Sequence, residues 1–392
     1  MDKSVKRKIK IVIDARFAES SGGIGRYITQ IAKKLNKKRF DITLVSTKNL
    51  VSIQGNRGNK EVTQVILPQK THWLFWEQVQ LPILLKKLKP DIYHAAGNWG
   101  VPILLSCPVV LTVHDIIPLT ETGYFNQSQF PWLSQQLYYW REKVGLMKAS
   151  KVIFDSQQVC SQIKAKIGFK SQPAIIPLGV GEEFFKPKAP FDKVILAKLG
   201  VTKPYIVNHG GIDRRKNLTR LIEAFAQLLN SNTLNEEIKR NLKLVIAGNG
   251  KTREQLIGLG LKLNLNNRLI FPGWVMGDKL AVLVRNARLD VYPTMAEGFG
   301  LPLIEGMAAG VPVIVSDLPI LRTIGNTFPI YVSPYQTESI ARGMLEGLNK
   351  RYSKANLKSW AKWARQFSWG KNIKKLSNIY SEVAERRDGI SV

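Results

Sequence analysis

Short apolar runs alternate with longer segments of helical spacing along most of the chain, and this alternation constrains the fold more than any other feature. Ile9 to Asp14 is a β-type run, followed by a Gly-rich turn at Ser20 to Gly25. Helical spacing then puts Ile28, Ile31 and Leu35 on one face, with Lys33, Lys34, Lys37 and Lys38 elsewhere. Further strands are expected at Ile42 to Ser46, Asp91 to His94, Val109 to His114 and Lys151 to Asp155. Strands that are short and apolar throughout, with helices between them, indicate a parallel sheet covered on both faces. Ile176 to Pro190 is Pro-rich, aromatic and aperiodic, and reads as a linker. A second alternation follows. Its strands are expected at Tyr205 to His209, Leu242 to Ala247, Arg268 to Phe271, Leu289 to Tyr292, Val311 to Val315 and Ile330 to Val332, with a helix at Leu218 to Leu229. The tail from Lys371 to Glu385 is helical again, with Ile373, Leu376, Ile379, Tyr380 and Val383 on one side. The expected fold class is α/β, with two doubly wound domains and a helical tail.

Composition bounds the function. A chain of 392 residues that is 44% hydrophobic builds two cores and is neither disordered nor collagen-like. Fifty-eight basic residues against 29 acidic ones give a net charge of +29, which predicts attraction to an anionic partner: a phosphorylated substrate, a membrane face or a nucleic acid. Two cysteines, Cys107 and Cys160, make no disulfide framework and have no metal-ligand spacing, so a reducing cytoplasmic setting is expected. The start MDKSVKRKIK is not expected to act as a signal peptide. Ala95 to Val113 is uncharged, but its glycines and prolines suit loops and a buried strand better than a bilayer span.

The strongest constellation for chemistry is Glu297-Gly298-Phe299-Gly300-Leu301-Pro302-Leu303-Ile304-Glu305. It follows a strand and opens a helix, with Pro302 suited to the first turn and Gly310 to the C-terminal end. Free amides at that helix start favour a phosphate group. Glu305 lies about one turn into the helix and suits a sugar hydroxyl better than a phosphate. The bland alternative is a solvated loop Glu with a dipole-favoured Glu behind it. A second cluster, Gly210-Gly211-Ile212-Asp213-Arg214-Arg215-Lys216-Asn217, offers Arg215 and Lys216 to neutralise a diphosphate. A third, Ser21-Gly22-Gly23-Ile24-Gly25-Arg26, lacks the third glycine of a dinucleotide fingerprint and the Gly-Lys-Ser/Thr of a Walker loop. His114 and Asp115 end a strand, where open α/β sheets bind ligands. No Asp-x-Asp triplet occurs, so neither a metal nor another cofactor is expected.

Together these motifs resemble glycosyltransferase family 4, the retaining nucleotide-sugar enzymes of the GT-B fold. The resemblance runs through GGIGR, TVHD, VIFDS, IPLGV, GGIDRRKN, LVIAGNG, FPGWV, EGFGLPLIEGMAAGVPVIVSD and the FSW element near Phe367. It implies two Rossmann-like domains facing each other across a cleft, with a C-terminal helix returning to the N-terminal domain. The expected division is 1–178 for the acceptor domain, 179–202 for the linker, 203–368 for the donor domain and 369–392 for the returning helix. It further implies that Glu305 accepts hydrogen bonds from the donor's ribose and that Glu297 sits beside the transferred sugar. Amides around Phe299, Gly300 and Leu301 would hold the sugar and distal phosphate. Arg215 and Lys216 would bind the diphosphate, Gly23 would close on it, His114 would contact the sugar, and Trp274 would touch the base. Many members carry an arginine directly after the first glycine of the RKN motif. This chain has Gly211 there, so either that diphosphate contact is missing or Arg214 substitutes for it.

The implied reaction is retaining transfer of a hexose from a nucleoside diphosphate sugar, GDP-mannose favoured and a UDP-sugar as the alternative. The implied acceptor is a carbohydrate, lipid-linked in the favoured reading, in cell-surface polysaccharide synthesis. Trp73, Phe75 and Trp76 run into Lys86, Lys87 and Lys89, which reads either as a basic, aromatic contact with an anionic membrane on its inner face or as an ordinary amphipathic helix against its own core. The alternatives are a soluble acceptor or a catalytically silent sugar-nucleotide-binding protein. A nucleic-acid partner rests on charge alone and is not expected.

Overall fold

The computed structural model describes residues 7–19, 22–50, 53, 62–69, 72–121, 124, 128 and 130–387. It divides into two compact units, one of Met1–Leu178 with Trp369–Val392, the other of Gly179–Ser368. Ser20 and Ser21 of the first Gly-rich turn lie outside the described residues.

The first unit holds a parallel sheet in the order β3-β2-β1-β4-β5-β6-β7. Its strands are β1 (Ile9–Asp14), β2 (Phe40–Ser46), β3 (Val62–Ile66), β4 (Ile92–Ala95), β5 (Val109–Val113), β6 (Lys151–Phe154) and β7 (Ala174–Ile175). β3 and β7 were not anticipated. β3 mixes Thr63 and Gln64 with apolar residues on a half-buried edge, and β7 is two residues long. The order reverses beside β1, so the loops after β1 and β4 flank the switch point where such sheets bind ligands. Helix Trp369–Arg387 belongs to this unit and buries Ile373, Leu376, Ile379, Tyr380 and Val383. Tyr380 hydroxyl meets His94 Nδ1 at 2.6 Å, and Asn372 Nδ2 donates to the Pro177 carbonyl at 2.6 Å.

A buried ionic cluster ties this unit's helices to the end of β1. Arg16 holds the Asp14 carboxylate with its guanidinium and reaches Glu77 at 2.9 Å. Arg141, on helix Pro131–Lys148, also binds Glu77 and lies over the rings of Trp73 and Trp99. For the tryptophans, packing against the unit's own core is the reading the structure takes. Trp76 is fully buried under Arg16 and Trp73 lies under Arg141, which leaves Phe75 as the exposed member of the trio. A single stretch of sequence does not show that two arginines from elsewhere cover its tryptophans.

Glu142, one residue on from Arg141, is buried. Burial pushes its carboxyl up to about 8, and the charges of Asp115 and Glu77 add to the rise. The unfolded chain releases this proton near pH 4.5. The folded chain therefore binds more protons between those values, and stability falls as pH rises through that window. Glu142→Gln removes the titration. It is expected to be more stable than wild type by about 4 kcal/mol at pH 9 and nearly equal at pH 5. Urea denaturation at the two pH values checks this; an equal difference at both rejects it.

The second unit holds a parallel sheet in the order β10-β9-β8-β11-β12-β13. Its strands are β8 (Tyr205–His209), β9 (Lys243–Ala247), β10 (Leu269–Ile270), β11 (Leu289–Tyr292), β12 (Val313–Ser316) and β13 (Ile330–Val332). Helix Leu218–Leu229 packs Leu218, Leu221, Ile222, Phe225 and Leu228 into the core. The segment expected as a linker is instead folded into this unit. Phe184 is buried, and helix Asp192–Lys198 buries Asp192 against Arg285 at 2.5 Å and Asn286 at 2.7 Å. Its prolines and a polar anchor hide it from periodicity.

Candidate active site

The site of the second unit lies at its switch point, where β8 and β11 are neighbours and the order reverses. The loop after β8 carries Gly210 to Asn217, and the loop after β11 carries Pro293 to Gly300. Backbone and side chains join them. Met295 amide donates to the Arg215 carbonyl at 2.7 Å, and Asn217 Nδ2 donates to the Pro293 carbonyl at 3.0 Å. Asp213 caps the short turn Arg214–Lys216 by accepting from the Arg215 amide.

This stitching brings Glu297, Lys216 and Arg215 together. Lys216 Nζ donates to Glu297 Oε2 at 2.8 Å, and Arg215 Nη1 lies 3.3 Å from the same oxygen. Tyr292 hydroxyl donates to Glu297 Oε2 and accepts from Lys216 Nζ. Burial pushes the Glu297 carboxyl upward, but the charges of Lys216 and Arg215 and the bonds from Lys216 and Tyr292 outweigh it, holding it at about 2. Glu297 is therefore a carboxylate at neutral pH and not a proton donor. Burial, reinforced by Arg215, lowers the Lys216 pKa in spite of Glu297. The Glu297 side chain is 13% exposed and Arg215 29%, so both are within a ligand's reach, whereas Lys216 is buried.

Gly300 caps the start of helix Leu301–Ala308, with Pro302 in the first turn, as the sequence suggests. Phe299 turns its ring into the unit against Phe367 at 5.8 Å, so only its backbone can serve a ligand. Leu301 is buried, and Trp274 lies half-buried in the loop after β10. Glu305 is buried in the same helix with His209 Nδ1 3.5 Å from its Oε2. Gly211 sits at φ +101°, the left-handed region, so an arginine there would be strained. Arg214 is exposed on the same loop.

Gly23 and His114 belong to the first unit. Gly23 starts helix Gly23–Lys34, whose Tyr27 packs edge-on against the His114 ring at 5.2 Å. His114 is buried, with Nδ1 2.7 Å from Asp155 Oδ2 and Nε2 2.9 Å from the Ala96 carbonyl. Only an imidazolium donates to both acceptors. Burial opposes that charge, but Asp155 and the Ala96 carbonyl raise the His114 pKa. Both nitrogens of this ring are held by internal partners, and the carboxylate that engages Nδ1 comes from the next strand's end.

Tyr292, His209, Asp290 and Asp155 were missed. A tyrosine, histidine or aspartate at a strand end reads as core or loop. Strand adjacency alone reveals their partners.

A family model described as Glycosyltransferase Family 4 matches residues 21–184, and one described as Glycosyl transferases group 1 matches residues 195–367. The uncharacterised glycosyltransferase MJ1607 of Methanocaldococcus jannaschii is 32% identical, covering 93% of this chain and 95% of its own. O-antigen chain mannosyltransferase B of Escherichia coli is 26% identical over 76% of this chain and 75% of its own. The solved structure of HepE from Anabaena, in complex with UDP-glucose, has a TM-score of 0.73 at 16% identity, covering 95% of this chain and 100% of its own. Two parallel-sheet units carrying these motifs in this order make the chain a glycosyltransferase of family 4, with the GT-B fold.

Proposed function

We propose that this glycosyltransferase moves a hexose from a nucleoside diphosphate sugar to a carbohydrate acceptor, with retention and without a metal, and that the donor is GDP-mannose. The observation that carries the reading is the ionised Glu297 held by Lys216, Arg215 and Tyr292 at the mouth of a helix start. Arg215 and the amides of Phe299 to Leu301 would neutralise charge developing on the leaving diphosphate. Glu297 would face the positive charge developing at the sugar ring. At about 2 its carboxyl is too weak a base to take the acceptor's proton, which leaves that proton to the departing phosphate oxygen on the same face. The mannosyltransferase relative supports mannose, and the UDP-glucose complex of HepE supports a nucleotide-sugar donor while favouring UDP over GDP.

A lipid-linked acceptor, met at the inner face of an anionic membrane, fits the net charge of +29. No helix of the described residues is long and apolar enough to cross a membrane. Helix Pro131–Lys148 instead exposes Trp132, Trp140 and Met147, 71%, 40% and 70% open, beside Lys143. Such a stripe suits an interfacial contact.

Thermal shift with GDP-mannose, UDP-glucose and ADP-glucose tests the donor: GDP-mannose should stabilise most, and a larger shift with UDP-glucose transfers the reading to that donor. Turnover should survive EDTA and give the donor's own anomeric configuration by NMR. An inverted product, or loss of turnover in EDTA, overturns the mechanism.

A further inference from the structure

Behind the Gly298 to Leu301 turn, the second unit buries an imidazole between two carboxylates. His209 ends β8, Asp290 lies on β11, and Glu305 lies on helix Leu301–Ala308; all three are buried. His209 Nε2 is 3.1 Å from Asp290 Oδ2, and Nδ1 is 3.5 Å from Glu305 Oε2. Strand pairing explains the first contact. Val207 is opposite Asp290 in the register, and His209 follows two residues on, along the same face. A close approach lets the helix in: a Cβ on Gly306 would fall 2.6 Å from Asp290 Oδ2 and 2.8 Å from Val313 Cγ2. The helix that bears Glu305 thus packs directly on the strand that bears Asp290.

We propose that His209 is a positioning residue for donor recognition: oriented by Asp290, it holds the Glu305 carboxylate in place and thereby sets the enzyme's preference for a ribose over a deoxyribose in the donor nucleotide. The proposal rests on the reading of Glu305 as the acceptor of ribose hydroxyls. A carboxyl group accepts those hydrogen bonds from a fixed direction only if it is held still. Buried this deeply, it needs a cationic or donating partner. His209 stands at ion-pair distance from it, with Nδ1 3.5 Å from Glu305 Oε2, while Asp290 holds the ring through Nε2. An apolar side chain at 209 would fill the space and leave Glu305 without that anchor.

The discriminating readout is the ratio of affinities for nucleotides that differ in the 2′-hydroxyl. Calorimetry would measure Kd for GDP, 2′-deoxy-GDP, UDP and 2′-deoxy-UDP on wild type, Glu305→Ala, His209→Phe and His209→Gln. Wild type is expected to bind the ribo form of one pair about tenfold tighter than its deoxy form. Glu305→Ala and His209→Phe should bring that preference within about twofold, with affinity for the ribo form falling more than affinity for the deoxy form. A circular-dichroism spectrum and thermal midpoint matching wild type mark an intact fold. If His209→Phe does not fold, His209→Gln carries the test with one amide donor, and its preference should fall by about threefold or more. Loss of preference in Glu305→Ala with full preference in the folded His209 variant overturns the proposal alone. Full preference in Glu305→Ala, or no binding of either pair by wild type, removes the Glu305 reading and the proposal with it.

Discussion

Glu297→Gln is expected to lower kcat by about two to three orders of magnitude, with the protein still folded. The substitution keeps the side chain's size and removes the negative charge that Lys216, Arg215 and Tyr292 now surround. Two cations then face the donor without their internal counter-charge. Ground-state attraction for a diphosphate is therefore kept or strengthened, and KM for the donor should stay level or fall while kcat collapses. A variant that loses kcat and raises KM together would mean that Glu297 serves binding in general. Steady-state kinetics with circular dichroism on the same sample checks both halves. Turnover within twofold of wild type would remove Glu297 from the mechanism. Because the carboxyl stands at about 2, no acid limb belonging to Glu297 is expected in the rate profile between pH 5 and 8.

The second large effect concerns stability. Glu77→Ala is expected to cost about 3–5 kcal/mol, because it strands the Arg141 guanidinium and takes from Arg16 one of its two carboxylates. The Glu77 side chain is fully buried, Arg16 reaches it at 2.9 Å, and Arg141 reaches it through Nε at 2.8 Å. Arg141 keeps its stacking on Trp73 and Trp99, and Arg16 keeps Asp14, so the loss falls on charge compensation and not on packing. Urea denaturation followed by tryptophan fluorescence would read the change in midpoint. A cost below about 1 kcal/mol would show that water reaches the cluster and screens it.

Legibility divides along a physical line. Apolar strands were readable because a strand buried on both faces must be apolar throughout, and Tyr205–His209, Leu289–Tyr292 and helix Leu218–Leu229 stand where the pattern places them. β3 carries polar residues on an edge, and β7 is too short for any pattern. The segment taken as linker is held by Asp192, whose partners Arg285 and Asn286 lie 93 and 94 residues away. In the site, Glu297, Arg215, Lys216 and Glu305 were readable because each sits in a glycine- or charge-marked motif. Tyr292 and His209 carry no such mark.

The order of strands and helices, the helix start at Pro302 and the charge types at the two loops follow from local chemistry, and the sequence alone determined them. The state of those groups was decided only by the tertiary structure. Glu297 is a held anion because Lys216, 81 residues away, and Tyr292 meet it at one oxygen. His114 points both nitrogens at internal acceptors because Asp155 closes on it from 41 residues away. Trp73 and Trp76 are covered because arginines from other elements lie on them. Periodicity is a property of neighbours along the chain, whereas protonation and exposure depend on what the fold places within a few ångströms.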